Sequence, residues 1–365
     1  MQADGDPIEQ AEALIADGRA GDAAALLQAW LAGGRGGLLL RITLARALIA
    51  AGDNEAALAL ARETALTNPA AAPAAASLGE ALLAAGRLAT AIAEFQRAVR
   101  LDPHFARVRF LLGAAWLAAG EAGKALEAFD AVDGEDAAPE LRAGIAEAHA
   151  MQARARSDPR YVRHLFDEFS ADYDSRMLGQ LGYDAPAILK QLAGMLGIVE
   201  HGGYAILDLG CGTGLAGIAF RELARTLSGV DLSPAMIEKS RARGIYGTLV
   251  VGDLETALTS PTTYDLIIAA DTLVYLGDLR TVFSGAAHRL SPGGFFLFTV
   301  EKSEAADFEL GPKRRWRHSE QYLRAEAARA GLNIAGLLAC HPRSEAGVPV
   351  EGYAVALREA MVMKA

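Results

Sequence analysis

The chain has 365 residues, too many for one ordinary domain and enough for two. Its 35 basic and 45 acidic residues leave a net charge of −10, which disfavours a general nucleic-acid binder because phosphate backbones need neutralising cations. Hydrophobic residues make up 52% and charged residues 22%, so the chain can bury a core and is not intrinsically disordered. Two cysteines, Cys211 and Cys340, cannot form a disulfide scaffold or a cysteine-rich metal site. The N-terminus is acidic and broken by Pro7, unlike a signal peptide, and no apolar run reaches about 18 residues. The expectation is a two-domain cytoplasmic protein with no metal and no membrane contact.

The first elements are helical and periodic. Gly18, Gly52, Gly86 and Gly120 recur every 34 residues, and so do Ala23, Ala57, Ala91 and Ala125. The next large position reads Leu27, Ala61, Phe95, Phe129, and Asn68-Pro69 and Asp102-Pro103 keep the same interval. Each glycine suits a tight turn between two helices, and each proline stops one hairpin from running into the next. The small residues Ala45, Gly79 and Gly113 let paired helices approach closely. An ordinary bundle has no reason to keep a fixed period, whereas a stacked array has. The pattern resembles the tetratricopeptide repeat, with about four repeats over residues 5–137 and a capping helix near 138–156, making residues 1–156 one domain. The resemblance implies a groove lined by Leu39, Ile42, Ile49, Leu83, Arg107, Phe110 and Leu117. Two readings stand for these side chains: a groove for an amphipathic segment of a partner or of this chain, or repeat-to-repeat core.

From residue 157 to 365 the pattern changes to strands alternating with helices. Apolar runs at 204–209, 227–232, 246–251, 264–270 and 294–300 are separated by helical stretches at 214–226, 234–243 and 279–290, which predicts a parallel sheet covered by helices. Two further strands, 333–339 and 352–358, lack an intervening helix and are expected as an antiparallel hairpin at the sheet edge. Asp208, Asp231, Asp253 and Asp271 stand at the ends of four strands, where open α/β sheets place their ligand crevice. Four acids suit a ligand with hydroxyl and amino groups and do not suit a polyphosphate. The turn Gly210-Cys211-Gly212-Thr213-Gly214 allows close backbone approach. Gly212, Gly214 and Gly217 also satisfy the dinucleotide pattern of nicotinamide oxidoreductases, a reading that leaves Asp208 and Asp253 without roles.

The combination LDLGCGTG, VDLSPAMIEKSRARG, VVGDLE, YDLIIAADTLVYLGDL and LSPGGFFLFTVE resembles class I methyltransferases that use S-adenosylmethionine. The resemblance implies a Rossmann-like seven-stranded sheet with a reversed last strand. It implies Asp208, Gly210, Cys211, Gly212 and Gly214 around the methionine part of the cofactor, and Asp231 on the ribose hydroxyls. Asp253 and Leu254 would meet the adenine amino group, and Leu232 and Met236 would pack on the ring. Asp271 would close the cofactor end of the fourth strand. The expected activity is methyl transfer to oxygen or nitrogen of a small-molecule or carrier-linked acceptor, with the repeats recruiting a partner or shaping the site. The alternative is a cofactor-binding repeat scaffold without turnover, and behind it a nicotinamide oxidoreductase.

Methyl transfer needs mainly proximity and alignment, so catalytic residues are weakly dictated. Three segments are candidates for the acceptor side. Tyr161, Phe169 and Tyr173 lie in a lead-in resembling the helix that folds over the cofactor, and the bland reading is amphipathic packing. Tyr275 could orient an acceptor through its hydroxyl. Lys313-Arg314-Arg315-Trp316-Arg317-His318 concentrates four cations and a histidine, and His318 is the best candidate base from sequence. Arg343 is a weaker candidate for binding an anion.

Overall fold

The computed structural model describes residues 6–132, 139–170, 172–179, 181–199, 201–304, 307–311 and 313–360. The chain divides between Ala153 and Arg154 into two units. Arg156, counted with the repeats in the sequence reading, therefore belongs to the second unit.

Among the described residues, the first unit is four helix hairpins and a closing helix. The pairs are α1 (Pro7–Ala16) with α2 (Ala20–Ala32), α3 (Leu38–Ala50) with α4 (Asn54–Thr67), α5 (Ala72–Ala84) with α6 (Leu88–Leu101), and α7 (Ala106–Ala118) with α8 (Ala122–Asp130). Helix α9 (Pro139–Gln152) packs on α7 and α8. Residues 133–138, inside the expected range of the array, lie outside the described residues. Gly18, Gly52, Gly86 and Gly120 all take positive φ, between 73° and 84°, which explains the 34-residue glycine period. The alanines five residues later are fully buried, so their small size sets the distance between helices.

Gly79 and Gly113 show the same economy of space. A Cβ on Gly79 would lie 2.5 Å from the Phe95 ring, and one on Gly113 would overlap the Phe129 ring. Each phenylalanine thus fills a notch that only glycine provides. Substituting Gly113 by Ala is expected to destabilise the array by about 1–3 kcal/mol, the range for overpacking a tight core. Urea denaturation followed by helical circular dichroism checks this, and an unchanged midpoint would contradict the notch.

The expected groove positions separate. Ile49, Leu83 and Arg107 line one shallow cavity together with Glu80, whose carboxylate lies 2.6 Å from Arg107 Nη2. Leu39 is 61% exposed and Ile42 is half-buried. Leu117 is instead buried against Ala125, Phe129 and Leu141, and the Phe110 ring lies 6.1 Å from that of Phe129. For these two the core reading holds, because α7 turns that side toward α8 and α9.

The second unit opens with α10 (Pro159–Phe169), α11 (Tyr173–Gly179) and α12 (Ala185–Met195). Strands β1 (Tyr204–Leu209), β2 (Ala224–Asp231), β3 (Thr248–Val251), β4 (Tyr264–Ala269) and β5 (Leu290–Lys302) follow, connected through α13 (Leu215–Phe220), α14 (Pro234–Ala242), α15 (Leu254–Ala257) and α16 (Arg280–Arg289). Then come β6 (Phe308–Leu310), β7 (Trp316–His318), α17 (Glu320–Arg329), β8 (Leu332–Cys340), the short pair β9 (Ser344–Glu345) and β10 (Val348–Pro349), and β11 (Gly352–Glu359). The main sheet runs β3-β2-β1-β4-β5-β11-β8. Strands β1 to β5 are parallel, and β11 is antiparallel to both its neighbours.

Strand alternation buries both faces. Leu207, Ile267, Phe296 and Phe298 face a core shared with α16 and α17, while Ile206, Leu266, Ile268 and Leu297 face one shared with α12 and α13. The expected antiparallel hairpin is present as β8 and β11, and it closes one end of the sheet. Of the hairpin's two strands only β8 lies at the edge, because β11 inserts between β5 and β8, and the first six residues of β11 are all buried. The cationic stretch is not simply a loop, since β7 pairs with β5 and β6 pairs with β7.

Candidate functional site

The site forms where β1, β2 and β4 end. Gly210 and Gly212 turn the chain with φ of 69° and 53°. A side chain on Gly210 would overlap Thr272, whereas the space beside Gly212 is open to at least 4 Å. The cleft is walled by Gly210, Gly212, Val230, Asp231, Leu232, Gly252, Asp253, Leu254, Asp271, Thr272, Tyr275 and Leu276, and by Arg156, Val162, Phe166 and Tyr173 from the segment that precedes the sheet. Its empty space, mouth included, is about 670 Å³.

Asp231 is held from behind. Its two oxygens accept from Gly212 N at 2.9 Å and Ser233 N at 2.8 Å, leaving further lone pairs toward the cleft. Burial raises its pKa above the usual range, and the two backbone bonds act in the opposite sense. Asp253 accepts from Glu255 N at 2.9 Å and from Arg156 Nη2 at 2.6 Å, so part of its capacity is already used. Asp271 takes positive φ of 56°, and its carboxylate pairs with Arg343.

Asp208, Cys211, Gly214 and Met236 are not among the cleft walls. Asp208 is wholly buried behind the loop, where Tyr246 Oη donates to its Oδ2 at 2.6 Å and Oδ1 has no hydrogen-bond partner. Burial pushes its pKa up to about 7, against the Tyr246 hydrogen bond. Cys211 is buried, and burial raises its thiol pKa. Gly214 begins α13 with φ of 94°, crowded by Arg243, Ser240 and Tyr246. Met236 is in the interior, its amide capped by Ser233 Oγ at 3.1 Å.

The lead-in helices cover the loop through three polar ties. Asp167 accepts from Ser233 Oγ, and Asp174 accepts from Thr213 Oγ1 and Arg243 Nη2, each at 2.5 Å. Phe166 stands edge-on to Tyr173 and Tyr275, with ring centroids at 6.0 and 5.6 Å. Burial raises the Tyr275 pKa to about 12 and that of Tyr173 further, so both phenols stay protonated and act as donors rather than bases.

His318 does not meet the cleft. It is wholly buried, with Nε2 3.0 Å from the Gly277 carbonyl oxygen and its ring stacked 5.8 Å from Tyr322. Burial lowers its pKa to about 4, so it is neutral and remote from any ligand in the cleft. Its alternating position on β7 turns it inward, which a reading of the stretch as a loop could not show. Arg343 is no ligand-facing cation either: it is buried among Asp271, Glu301 and Glu345. Among the described residues no group of three potential metal ligands occurs, and no helix is long and apolar enough to cross a membrane.

Sequence reasoning missed Arg156 and Tyr246, and it took Phe166 only as one aromatic of the lead-in. Arg156 lies just before the Asp158-Pro159 cap of α10, a sign that this segment is structured rather than a linker. Ser157 N donates to the Tyr275 carbonyl at 2.8 Å, and Gly277 N and Asp278 N donate to that of Ala155, which lays Arg156 across the cleft.

Two buried groups predict opposite pH dependences. Asp208 has a folded pKa near 7 against an ordinary 3.8, so its contribution to stability is present below 3.8 and is lost as pH rises through 7. His318 has a folded pKa near 4 against 6.5, so its contribution is present above 6.5 and is lost as pH falls through 4. Each gives a slope of about 1.4 kcal/mol per pH unit between pH 4 and 6.5, with opposite signs. Asp208→Asn is expected to lose stability on acidification more steeply than the wild type, and His318→Gln less steeply. Urea midpoints across this window test it, and equal slopes in all three proteins would refute the assignment.

Comparison with known proteins follows this division. Residues 206–294 match the sequence model of a methyltransferase domain, and residues 42–104 and 82–155 match models of the tetratricopeptide repeat. The chain is 30% identical over 121 residues to a malonyl-[acyl-carrier protein] O-methyltransferase of Serratia marcescens, covering 32% of this chain and 48% of that protein. It is 31% identical over 171 residues to human methyltransferase-like protein 27, covering 46% and 66% respectively. It is similar to a ubiquinone biosynthesis O-methyltransferase of Xylella fastidiosa, at 30% identity over 30% of this chain and 46% of that one. The chain thus spans about half the length of most of these relatives. Among solved structures, magnesium protoporphyrin IX methyltransferase from Synechocystis with bound S-adenosylmethionine aligns at 18% identity and a TM-score of 0.44, covering 55% of this chain and 97% of that one.

Proposed function

We propose that this chain, which carries a methyltransferase domain of the S-adenosylmethionine-dependent class behind tetratricopeptide repeats, methylates an oxygen or nitrogen of a small-molecule or carrier-linked acceptor. The observation that carries the reading is Asp231, a half-buried carboxylate at the end of β2 whose two oxygens are fixed by backbone amides and face a cleft.

The donor set fits the cofactor. The open space at Gly212 is a cradle that a Cβ would fill, and Val230, Leu232, Leu254 and Leu276 offer apolar walls for a purine. Asp231, Asp253 and Asp271 suit hydroxyl, amino and sulfonium groups, while a pyrophosphate would meet like charge. In this reading Asp231 holds the ribose hydroxyls, and Asp253 uses its remaining lone pairs for the adenine amino group. Gly210 and Gly212 present backbone to the methionine part, with Asp208 behind them. Bound S-adenosylmethionine supplies an electrophilic methyl group on a sulfonium. The protein's own part is to align the acceptor and exclude water: Phe166, Tyr173 and Tyr275 form the aromatic wall, and the protonated phenols of Tyr173 and Tyr275 donate to the acceptor.

The repeat array is assigned the recruitment of a protein partner along the cavity bounded by Ile49, Leu83 and Arg107. Incubation with methyl-labelled S-adenosylmethionine and host extract, split into small-molecule and protein fractions, tests the reading. Label in small molecules or on a carrier is expected, and its absence from both fractions despite cofactor binding would leave a scaffold without turnover.

A further inference from the structure

A second cavity opens beside the cofactor cleft and shares Phe166, Tyr173, Asp271 and Tyr275 with it. Its walls are apolar, from Tyr161, Leu165, Phe169 and Met177, and its rim carries Arg176, Lys313 and Arg315. The charges at the rim do not balance. Beneath it, Arg343 and Arg317 join Lys313 and Arg315, so that four cations share the three carboxylates Asp271, Glu301 and Glu345, and Arg176 adds a further positive charge at the rim. Glu345 alone is shared by Lys313, Arg315 and Arg343. Arg176 is exposed and stacks 4.9 Å above the Phe169 ring, which leaves its donors facing outward from an aromatic wall.

The absence of a poised base points the same way. Among the residues lining the two cavities there is no histidine, Asp271 is tied to Arg343, Asp231 and Asp253 belong to the cofactor side, and Tyr161, Tyr173 and Tyr275 all stay protonated. Such a site suits a ligand that arrives already ionised.

We infer that this cavity takes an acceptor with a flat apolar body and a carboxylate, the body against Tyr161, Phe166 and Phe169 and the carboxylate at Arg176 and Lys313. This rests on the methyl-transfer reading for the name acceptor, but the binding chemistry stands apart from it. The test is calorimetric titration of the full chain, with and without S-adenosylhomocysteine, using 1-naphthoate and its neutral analogue 1-naphthalenemethanol.

The wild type is expected to bind 1-naphthoate at least ~10-fold more tightly than the alcohol, since charge-assisted bonds to two cations are lost with the carboxylate. The double variant Arg176→Gln, Lys313→Gln is expected to abolish that preference and leave alcohol binding unchanged. Equal binding of the two probes, no binding of naphthoate, or a preference that survives the double variant would each overturn the inference. If the naphthoate preference holds while S-adenosylhomocysteine fails to bind, the methyl-transfer reading fails and the anion cavity stands. If S-adenosylhomocysteine binds and the preference is missing, the reverse holds.

Discussion

Replacing Arg343 by methionine is expected to destabilise the second unit by about 3–5 kcal/mol, the cost of stranding buried charges when one partner is removed. The side chain of Arg343 is inaccessible to solvent, and its guanidinium joins Asp271 at the end of β4, Glu301 on β5 and Glu345 on β9. Burial alone would lower its pKa, yet Asp271 and Glu301 hold it above the ordinary arginine value. Methionine keeps much of the volume and none of the charge, so three carboxylates would face one another with only Arg315 and its neighbours in reach. Part of the loss should return as pH falls and the carboxylates protonate. Arg343→Lys, which keeps the charge without the bidentate fork, should recover part of the stability. Hydrogen exchange resolved by peptide is the measurement: protection should fall in β4, β5 and β11 and stay unchanged in α1 to α8. An unaltered exchange pattern in the methionine variant would show that the cluster is not holding these strands together.

Asp231→Ala is expected to weaken binding of S-adenosylhomocysteine by about 100-fold, corresponding to about 3 kcal/mol for charge-assisted hydrogen bonds to a diol. The same change frees the Gly212 and Ser233 amides, so the glycine turn loses its anchor as well as its ligand contact. Asn is the sharper control, because it preserves shape but presents an amide donor to one of those amides. A dissociation constant within threefold of wild type for the alanine variant would remove Asp231 from the cofactor site. The effect should be confined to binding, with a thermal midpoint lowered only modestly, since the strand itself is packed through Val230 and Leu227.

Much of this architecture is legible in the residue pattern because local rules and global fold agree. The glycine period marks the hairpin turns, the alternation in YDLIIA and GFFLFTV marks strands buried on both faces, and the acids mark strand ends. What escaped is what depends on long-range placement. Whether Leu117 lines a groove or a core depends on which helix α9 lands against. His318 reads as a surface base until β7 is seen to pair with β5. Asp208 and Asp231 look equivalent as strand-end acids, but a one-strand difference in position puts Tyr246 over the first and leaves the second facing the cleft. The cation run likewise divides: Lys313 and Arg315 reach a cavity, Arg317 turns to Glu301, and Trp316 packs beneath Gly277.

The insertion of β11 between β5 and β8 has a consequence for how the chain comes to be folded. Every helix pair of the array touches sequence neighbours, so it can close as soon as it leaves the ribosome. The sheet cannot: β5 pairs with β4 and β7 but not with β8, and β5 and β8 must each wait with an edge open for residues 352–359. During synthesis the finished repeats would therefore precede a sheet whose gap between β5 and β8 is filled last. A chain interrupted just before Gly352 would lack the strand that joins β8 to the rest of the sheet, and would expose two adhesive edges rather than a trimmed tail.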